Sequence, residues 1–199
     1  MNQIITSISL ENNSIRDIGA LDLSRALCVN KTLKSINLGE NSIGDKGSSV
    51  FADVLKVNKT LTSISLRMNS IGTHCIRELS EALKVNQTLV RIDLSKNFFG
   101  DQGARDIAES LKVNTTLTEI IVRYCEIGDK GARELAESLK MNRTLTEIDV
   151  SVNSIGDGGV LAFVGALEMN KTVKSLQIPM YIMSRSVRDS LANHAVIHA

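Results

Sequence analysis

Residues 88–97, TLVRIDLSKN, with the following FFGDQGA at 98–104, form one copy of a phrase that recurs every 28 residues along the chain. No insertion interrupts its register. A fixed period of this length is typical of stacked-repeat proteins, in which each unit is too small to bury its own apolar face and buries it against its neighbours. The first apolar anchor of the phrase is Ile5, Leu33, Leu61, Leu89, Leu117, Leu145 or Val173, and the second is Ile8, Ile36, Ile64, Ile92, Ile120, Ile148 or Leu176.

The repeat accounts for nearly all of the 199 residues, so the sequence predicts a single elongated domain over 1–199 without a linker. The last repeat is degenerate, with Pro179, Tyr181 and Ser184 in unusual places, and we expect it to close the stack. Ile4 and Ile5 start the first repeat without a polar cap, so we hypothesise that the chain is a fragment or self-associates through a terminal repeat. The predicted repeats are 5–32, 33–60, 61–88, 89–116, 117–144, 145–172 and 173–199.

Charge and composition limit the classes of partner. Lys and Arg total 23 and Asp and Glu total 22, so the chain lacks the positive excess of nucleic-acid binders, and no nucleic-acid partner is expected. No stretch approaches the ~20 apolar residues of a membrane span. We expect no cleavable signal, because the first residues lack a basic region followed by a long apolar run. Three cysteines at three different repeat positions are typical of reduced thiols. We therefore expect a soluble, cytoplasmic protein.

Each repeat is predicted to contain a short strand, a turn and a helix. Alternating apolar residues such as Ile64 and Leu66 indicate a half-buried strand, and Asn69 after it is expected to turn inward and bond adjacent loops. An Ile-Gly-Asp sequence then leads into an amphipathic helix, whose first amides should donate to the aspartate. A second Asn closes each helix, and we predict the left-handed conformation for it. The inward Asn recurs as Asn13, Asn41, Asn97 and Asn153, with Cys125 and Tyr181 in its place in two repeats, and the closing Asn is Asn30, Asn58, Asn86, Asn114, Asn142 or Asn170.

This order of strand, Asn or Cys turn and full α-helix resembles the ribonuclease-inhibitor-like class of leucine-rich repeats. The pattern Thr-Leu-Thr-x-Ile-x-Leu-x-x-Asn-x-Ile-Gly-Asp-x-Gly-Ala-x-x-Leu-Ala-x-x-Leu is similar to the sensor repeats of NOD-like receptors. The resemblance implies an α/β solenoid shaped like a horseshoe, with a parallel β-sheet on the concave face and α-helices on the convex face. Such solenoids bind other proteins. Departures from the pattern are Arg16 in place of Gly, and Cys75 and Ile76 in place of Gly-Ala.

The candidate binding residues occupy four outward-facing columns, two within each strand and two just after it. Bulky and charged side chains concentrate there in repeats three to six, and Arg and Tyr carry much of the energy of protein interfaces. An alternative stays open, in which Arg91 and Glu119 belong to a solvated charge lattice worth ~0–1 kcal/mol. The predicted partner-binding residues are Arg67, Met68, Arg91, Asp93, Lys96, Glu119, Ile121, Arg123, Tyr124 and Asp149.

No catalytic residue, cofactor or metal site is predicted. His74, His194 and His198 lie outside recognisable nucleophile or metal motifs, and the glycines recur as turn formers. We therefore expect a non-enzymatic protein-interaction module that binds a protein on its concave face. Two alternatives are a regulatory protein resembling the leucine-rich Ran GTPase-activating proteins, and a bacterial effector secreted into a host cell.

Overall fold

A computed structural model describes residues 4–179, 183–191 and 196–198. Met180, Tyr181 and His194 lie outside the described residues. The described strands are β1 (Ser7–Ser9), β2 (Ser35–Asn37), β3 (Ser63–Ser65), β4 (Arg91–Asp93), β5 (Glu119–Ile121), β6 (Glu147–Asp149), β7 (Ser175–Gln177) and β8 (Ile197–His198). The helices are α1 (Arg16–Val29), α2 (Asp45–Val57), α3 (Thr73–Val85), α4 (Gly100–Leu111), α5 (Asp129–Met141), α6 (Asp157–Met169) and α7 (Arg185–Leu191).

The strands form one parallel sheet whose order follows the chain from β1 to β8. Equivalent residues of successive repeats lie opposite one another, so that Ser63 pairs with Arg91 and Arg91 with Glu119. Neighbouring strands lie ~4.8 Å apart whereas packed helices need about 8–10 Å, so the stack curves with the sheet inside and the helices outside. The α/β solenoid predicted from the 28-residue period is confirmed. None of the described helices has both the length and the apolar character needed to cross a membrane.

One layered apolar core runs through the repeats. Within the third repeat Leu61 and Ile64 are buried from the strand side, and Leu79 and Leu83 of α3 cover them from the helix side. The anchors of every repeat after the first are buried in the same way. Each layer is closed only by the next, which explains why a repeat of 28 residues needs its neighbours to fold.

A ladder of buried asparagines joins the turns that follow the strands. Fully buried Asn97 accepts hydrogen bonds at 3.2 Å from the backbone N–H groups of Asn69 and Ile71 in the preceding repeat. Its Nδ2 lies 2.8–3.3 Å from three backbone carbonyl oxygens. Asn41 and Asn153 make the same set of bonds. The predicted ladder is confirmed for these residues.

The junction before α4 departs from this regular pattern. Cys125 replaces the ladder amide, and its thiol, 3.2 Å from the carbonyl oxygen of Arg123, has no oxygen to accept from the preceding loop. Thr73 replaces the helix-entry aspartate, and its hydroxyl donates to the carbonyl of Phe99 at 3.4 Å. The turn follows another path, in which Gly100 has a φ of +57° that glycine adopts without strain. This irregular turn carries an exposed aromatic residue of the candidate site described below.

The asparagines that close the helices act differently from the prediction. Asn142 has φ −66° and ψ 136°, so the left-handed conformation predicted for it is wrong. Its Oδ1 accepts hydrogen bonds from the backbone N–H groups of Thr144 and Leu145 at 2.9 and 2.7 Å. Its Nδ2 donates to the carbonyls of Leu111 and Asn114 in the preceding repeat at 2.8 and 3.2 Å. One amide thus ends a helix and ties two repeats together.

The sequence had suggested that each helix-entry aspartate caps the helix of its own repeat. In the structure these aspartates cap the helix of the next repeat. Asp129 lies in the first turn of α5, yet its Oδ1 accepts from the backbone N–H groups of Gly156 and Gly159 at the start of α6, at 2.8 and 2.9 Å. Helix α5 is capped in turn by Asp101. The charge still complements the helix dipole, but it does so between repeats. Asp17, Asp45 and Asp157 make equivalent bonds to the following repeat.

The first repeat exposes apolar side chains. Ile4 is 86% and Ile18 80% exposed, while Ile5, Ile8 and Leu10 are buried less completely than their equivalents further along. The hypothesis of self-association through a terminal repeat depends on this surface and stays a prediction.

The three cysteine thiols differ in how deeply they are buried. Desolvation raises the pKa of Cys75 and of Cys125 to about 12, whereas Cys28 is exposed. Only thiolates react readily, so we expect a thiol reagent to modify Cys28 alone in the native protein and all three cysteines after denaturation. Mass spectrometry after timed labelling measures this. Rapid labelling of Cys125 in the native protein would contradict its packing role.

Candidate protein-binding surface

The first residues of two neighbouring strands form the first part of the candidate surface. Arg91 of β4 and Glu119 of β5 occupy the same strand position, and their side chains meet with Nε 2.9 Å from Oε1. Both side chains are about two-thirds buried, by each other and by their neighbours. This ion pair is the basis of the alternative in which Arg91 and Glu119 only form a network of solvated charges. Paired with Glu119, the guanidinium of Arg91 is held in a fixed place on the sheet.

The residues just after each strand share an uncommon backbone conformation. Glu40, Met68, Lys96 and Tyr124 have φ values of 51–57°, in the left-handed region that few non-glycine residues adopt. Hydrogen bonds between repeats hold it, because the N–H of Met68 donates to the carbonyl of Ser95 and the N–H of Lys96 to that of Arg123, each at 2.7 Å. The turn directs these side chains away from the core, so Met68 and Tyr124 stay exposed although they are largely apolar.

An open groove of ≈ 770 Å³ runs along these turns. Its apolar wall consists of Met68, Phe98 and Tyr124 from three successive repeats, whose side chains are 45%, 65% and 55% exposed. Lys96 and Glu40 also line it. Phe98 is not among the binding residues predicted from the sequence. The sequence held a signal for it, because the equivalent residue is polar in five of the other six repeats, as Ser14, Ser42, Ser70, Glu126 or Ser154, and is apolar only in the degenerate last repeat.

A second groove of ≈ 440 Å³ lies beside the first and reaches down onto the sheet. It shares Lys96 and Tyr124 with the first groove, which makes the two a continuous surface. Of the ten predicted residues, this groove brings together seven: Arg67, Asp93, Lys96, Ile121, Arg123, Tyr124 and Asp149. Met68 lines only the first groove, and Arg91 and Glu119 lie outside both.

Asp93 and Asp149 are less available than the sequence analysis expected. Each is only 9% exposed, and each carboxylate turns back to accept a hydrogen bond from the backbone two residues on, Ser95 at 3.0 Å and Ser151 at 2.9 Å. They face the concave side as predicted, but little of either carboxylate is accessible to a partner. They form the floor of the second groove, where aspartate fits because its short side chain can bond its own loop.

The cations of the second groove differ in how firmly they are held. Arg67 contacts Glu40 and lies 3.4 Å from Glu11, so it bridges to the repeats before its own. The Nε of Arg123 lies 3.7 Å from Oδ2 of Asp149, and half of its side chain is exposed. Pairs of this kind contribute about 0–1 kcal/mol to stability. Arg123 is therefore free to exchange its intramolecular partner for an acidic group on another molecule.

Sequence similarity identifies the architecture that carries these grooves. A model of the leucine-rich repeat family matches residues 29–52, 85–108, 113–136 and 142–164, and each match runs from a helix end through the next strand into the following helix. The chain is a leucine-rich repeat protein of the ribonuclease-inhibitor-like type. The buried Asn ladder and the α-helix that follows each turn, both described above, fit this type of leucine-rich repeat.

Solved leucine-rich repeat structures resemble the fold. Leiomodin-1 Actin-Binding Site 2 has a TM-score of 0.62 and 21% identity, over 75% of this chain and 86% of that one. The C-terminal domain of Caenorhabditis elegans tropomodulin has a TM-score of 0.65 and 17% identity, over 76% and 92%. LegL7 from Legionella pneumophila has 0.60 and 17%, over 89% and 57%. At these identities the likeness shows the fold alone. No protein with a curated description matches the chain in sequence.

The acidic and thiol groups of this leucine-rich repeat protein are dispersed. Within the parts of the chain that the structure describes, no three His, Cys, Asp or Glu side chains come together as a metal site. Exposed His74 lies 3.6 Å from Glu78 on the same helix, and the thiols of Cys75 and Cys125 are buried with raised pKa.

Proposed function

We propose that this leucine-rich repeat protein is a non-enzymatic binding module whose protein partner docks on the concave face and the two adjoining grooves in repeats three to five. The observation that carries the proposal is the continuity of the grooves. Together they place three exposed apolar side chains beside Arg67, Lys96 and Arg123 over one surface.

The composition of this surface favours a protein over a small ligand. Met68, Phe98 and Tyr124 supply apolar area that a monomer does not need to expose, and Arg123 adds a guanidinium at the edge. Aromatic, Met and Arg side chains are enriched in interfaces, where a few of them carry most of the binding energy. Both grooves are open troughs, which suits a partner that presents a convex edge or an extended segment.

The absence of an enzymatic role is part of the proposal. Catalytic carboxylates, thiols and imidazoles need to lie close together at a site that excludes water. Here Asp93 and Asp149 are engaged by their own loops, and burial keeps the thiol of Cys125 protonated. These features support a binding role for the surface.

Actin is one named candidate for the partner. The leiomodin-1 structure that resembles this fold is described as an actin-binding site. Because an identity of 21% shows only that the folds are alike, actin is proposed only as a ligand to be tested. Cosedimentation with purified actin filaments examines it directly.

Reversing two charges tests the surface itself. We expect the double variant Arg91→Glu, Arg123→Glu to capture the partner at least about tenfold more weakly than wild type, because a buried contact with a partner's acidic group would become a repulsion. Affinity capture followed by quantitative mass spectrometry measures the loss, and circular dichroism checks that the fold is intact.

The matched control reverses Lys46 and Lys130, which are exposed in the first turns of α2 and α5. This control has the same net charge as the test variant and should capture the partner as wild type does. Equal capture by the test variant and wild type would remove this surface from consideration.

A further inference from the structure

The near-neutral net charge of the chain hides a strong separation of charge between one flank of the solenoid and the rest of the chain. Each of the first six repeats has a segment that ends the helix, passes the closing Asn and enters the next strand. These segments are 28–34, 56–62, 84–90, 112–118, 140–146 and 168–174. They contain ten of the 23 Lys and Arg residues in the chain but only one of the 22 Asp and Glu residues, Glu168. The ten are Lys31, Lys34, Lys56, Lys59, Lys84, Lys112, Lys140, Arg143, Lys171 and Lys174.

All six segments lie on one side of the solenoid. Because the strands pair without any shift in register from β1 to β7, equivalent residues of every repeat line up along one flank. We call these six segments the basic flank. Helices packed about 8–10 Å apart make its helix side roughly 40–50 Å long over five intervals. The rest of the chain, with 13 basic and 21 acidic residues, is negative.

The basic flank also carries a regularly spaced row of exposed apolar side chains, one from each of its segments. The residue before each closing Asn is valine or methionine in every one of the six segments, and each of these side chains is 53–62% exposed. Exposed apolar side chains that recur along one face and are rimmed by charge are typical of an interaction surface. The row consists of Val29, Val57, Val85, Val113, Met141 and Met169.

Part of the positive charge is balanced within the helices. Lys56, Lys84, Lys112 and Lys140 each pair with an acidic residue three positions earlier, at 2.5–3.1 Å. Those acids lie one helical turn earlier in the same helix. The other six basic residues of the flank make no ion pair within the described residues, and three of them, Lys59, Arg143 and Lys171, only donate to nearby backbone carbonyls. These six cations are available to an external anion.

We propose that the basic flank docks on the surface of an anionic lipid bilayer. The flank repeats the same chemistry six times and has no single distinctive pocket, so it matches a partner that is itself uniform over some 40–50 Å. Lysines attracted to anionic headgroups, with valine and methionine entering the interfacial layer between them, are the two components of peripheral membrane binding. A nucleic-acid backbone would satisfy the cations but not the apolar row.

Docking in this way leaves the concave face and its grooves open to a partner. The flank presents only helix ends and strand entries to the bilayer, whereas the grooves lie on the opposite side, where the strands end. The module would then hold its partner at a membrane surface. This inference does not depend on the concave-face proposal, because it uses none of the same residues.

Vesicle cosedimentation tests the proposal with the full chain. We expect binding to phosphatidylcholine vesicles that contain about one-third phosphatidylserine, little binding to pure phosphatidylcholine, and loss of binding at about 0.5 M salt. The triple variant Lys31→Glu, Lys59→Glu, Lys171→Glu should bind at least about 100-fold more weakly, since each basic residue near such a surface contributes about fivefold. The triple variant Val57→Ser, Val113→Ser, Met141→Ser should also weaken binding, by about tenfold.

Two controls separate this site from other surfaces. The variant Lys46→Glu, Arg105→Glu, Lys130→Glu has the same net charge as the lysine variant but changes exposed residues away from the flank, and it should bind vesicles as wild type does. The concave-face variant Arg91→Glu, Arg123→Glu should do so too. Equal vesicle binding by wild type and either flank variant would overturn the proposal, as would binding to a duplex RNA that is tighter than binding to the anionic vesicles.

Discussion

Replacement of Asn97 by alanine is expected to lower the free energy of unfolding by at least about 3 kcal/mol, because several buried backbone groups would lose their hydrogen-bond partner together. The amide accepts from two N–H groups and contacts three carbonyl oxygens, and it is fully buried, so water cannot replace it. Denaturant unfolding followed by circular dichroism measures the change.

The same position in a neighbouring repeat provides the control. Cys125 occupies the ladder without an amide, so Cys125→Ala removes one buried sulfur and one weak hydrogen bond, and should cost about 1 kcal/mol. The ratio of the two losses measures how much the ladder amide contributes beyond side-chain packing. If Asn97→Ala destabilised the protein no more than Cys125→Ala does, the ladder would not be a main source of cohesion between repeats.

The fold was predictable because the period fixes the register. Anchors such as Leu61 and Leu89 stand 28 residues apart, and a stack without insertions can pair only equivalent strands. The closing asparagines and the helix-entry aspartates were also identified as structural residues. The backbone conformation of the asparagines and the hydrogen-bond partners of the aspartates were predicted wrongly, because a sequence pattern shows which backbone groups need a partner but not which neighbouring repeat supplies it. Asp129 and Asn142 both reach across to the adjacent repeat.

The candidate surface was only partly predictable for a related reason. Alternation places Asp93 and Asp149 on the outer face of a strand, yet a short carboxylate there can fold back onto its own loop, and both do. Phe98 was missed because it falls in a turn that is otherwise polar. The basic flank was missed because a sum of charges over the chain says nothing of the face on which each charge lies.

Gly131→Ala is expected to destabilise the protein by about 1–3 kcal/mol, because the added methyl group has no room. A Cβ at Gly131 would lie 2.8 Å from the Cβ of Ala104, 2.8 Å from Oδ1 of Asp101 and 2.9 Å from Cγ2 of Ile127. The same Asp101 oxygen accepts the N–H bonds that cap α5. Relief of the overlap would therefore separate two repeats and weaken the cap. Thermal and denaturant unfolding give the change.

Gly165→Ala is the matched control, since both residues lie in helices and both changes add one methyl group. Nothing lies within 4 Å of a Cβ at Gly165, so the change should stabilise the protein by about 0.5–1 kcal/mol through the lower backbone entropy of the unfolded chain. Opposite signs for the two variants would show that close approach between repeats, and not helix propensity, requires glycine at position 131. If Gly131→Ala also stabilised the protein, the aspartate cap would have to be looser than its 2.7 and 2.8 Å hydrogen bonds indicate.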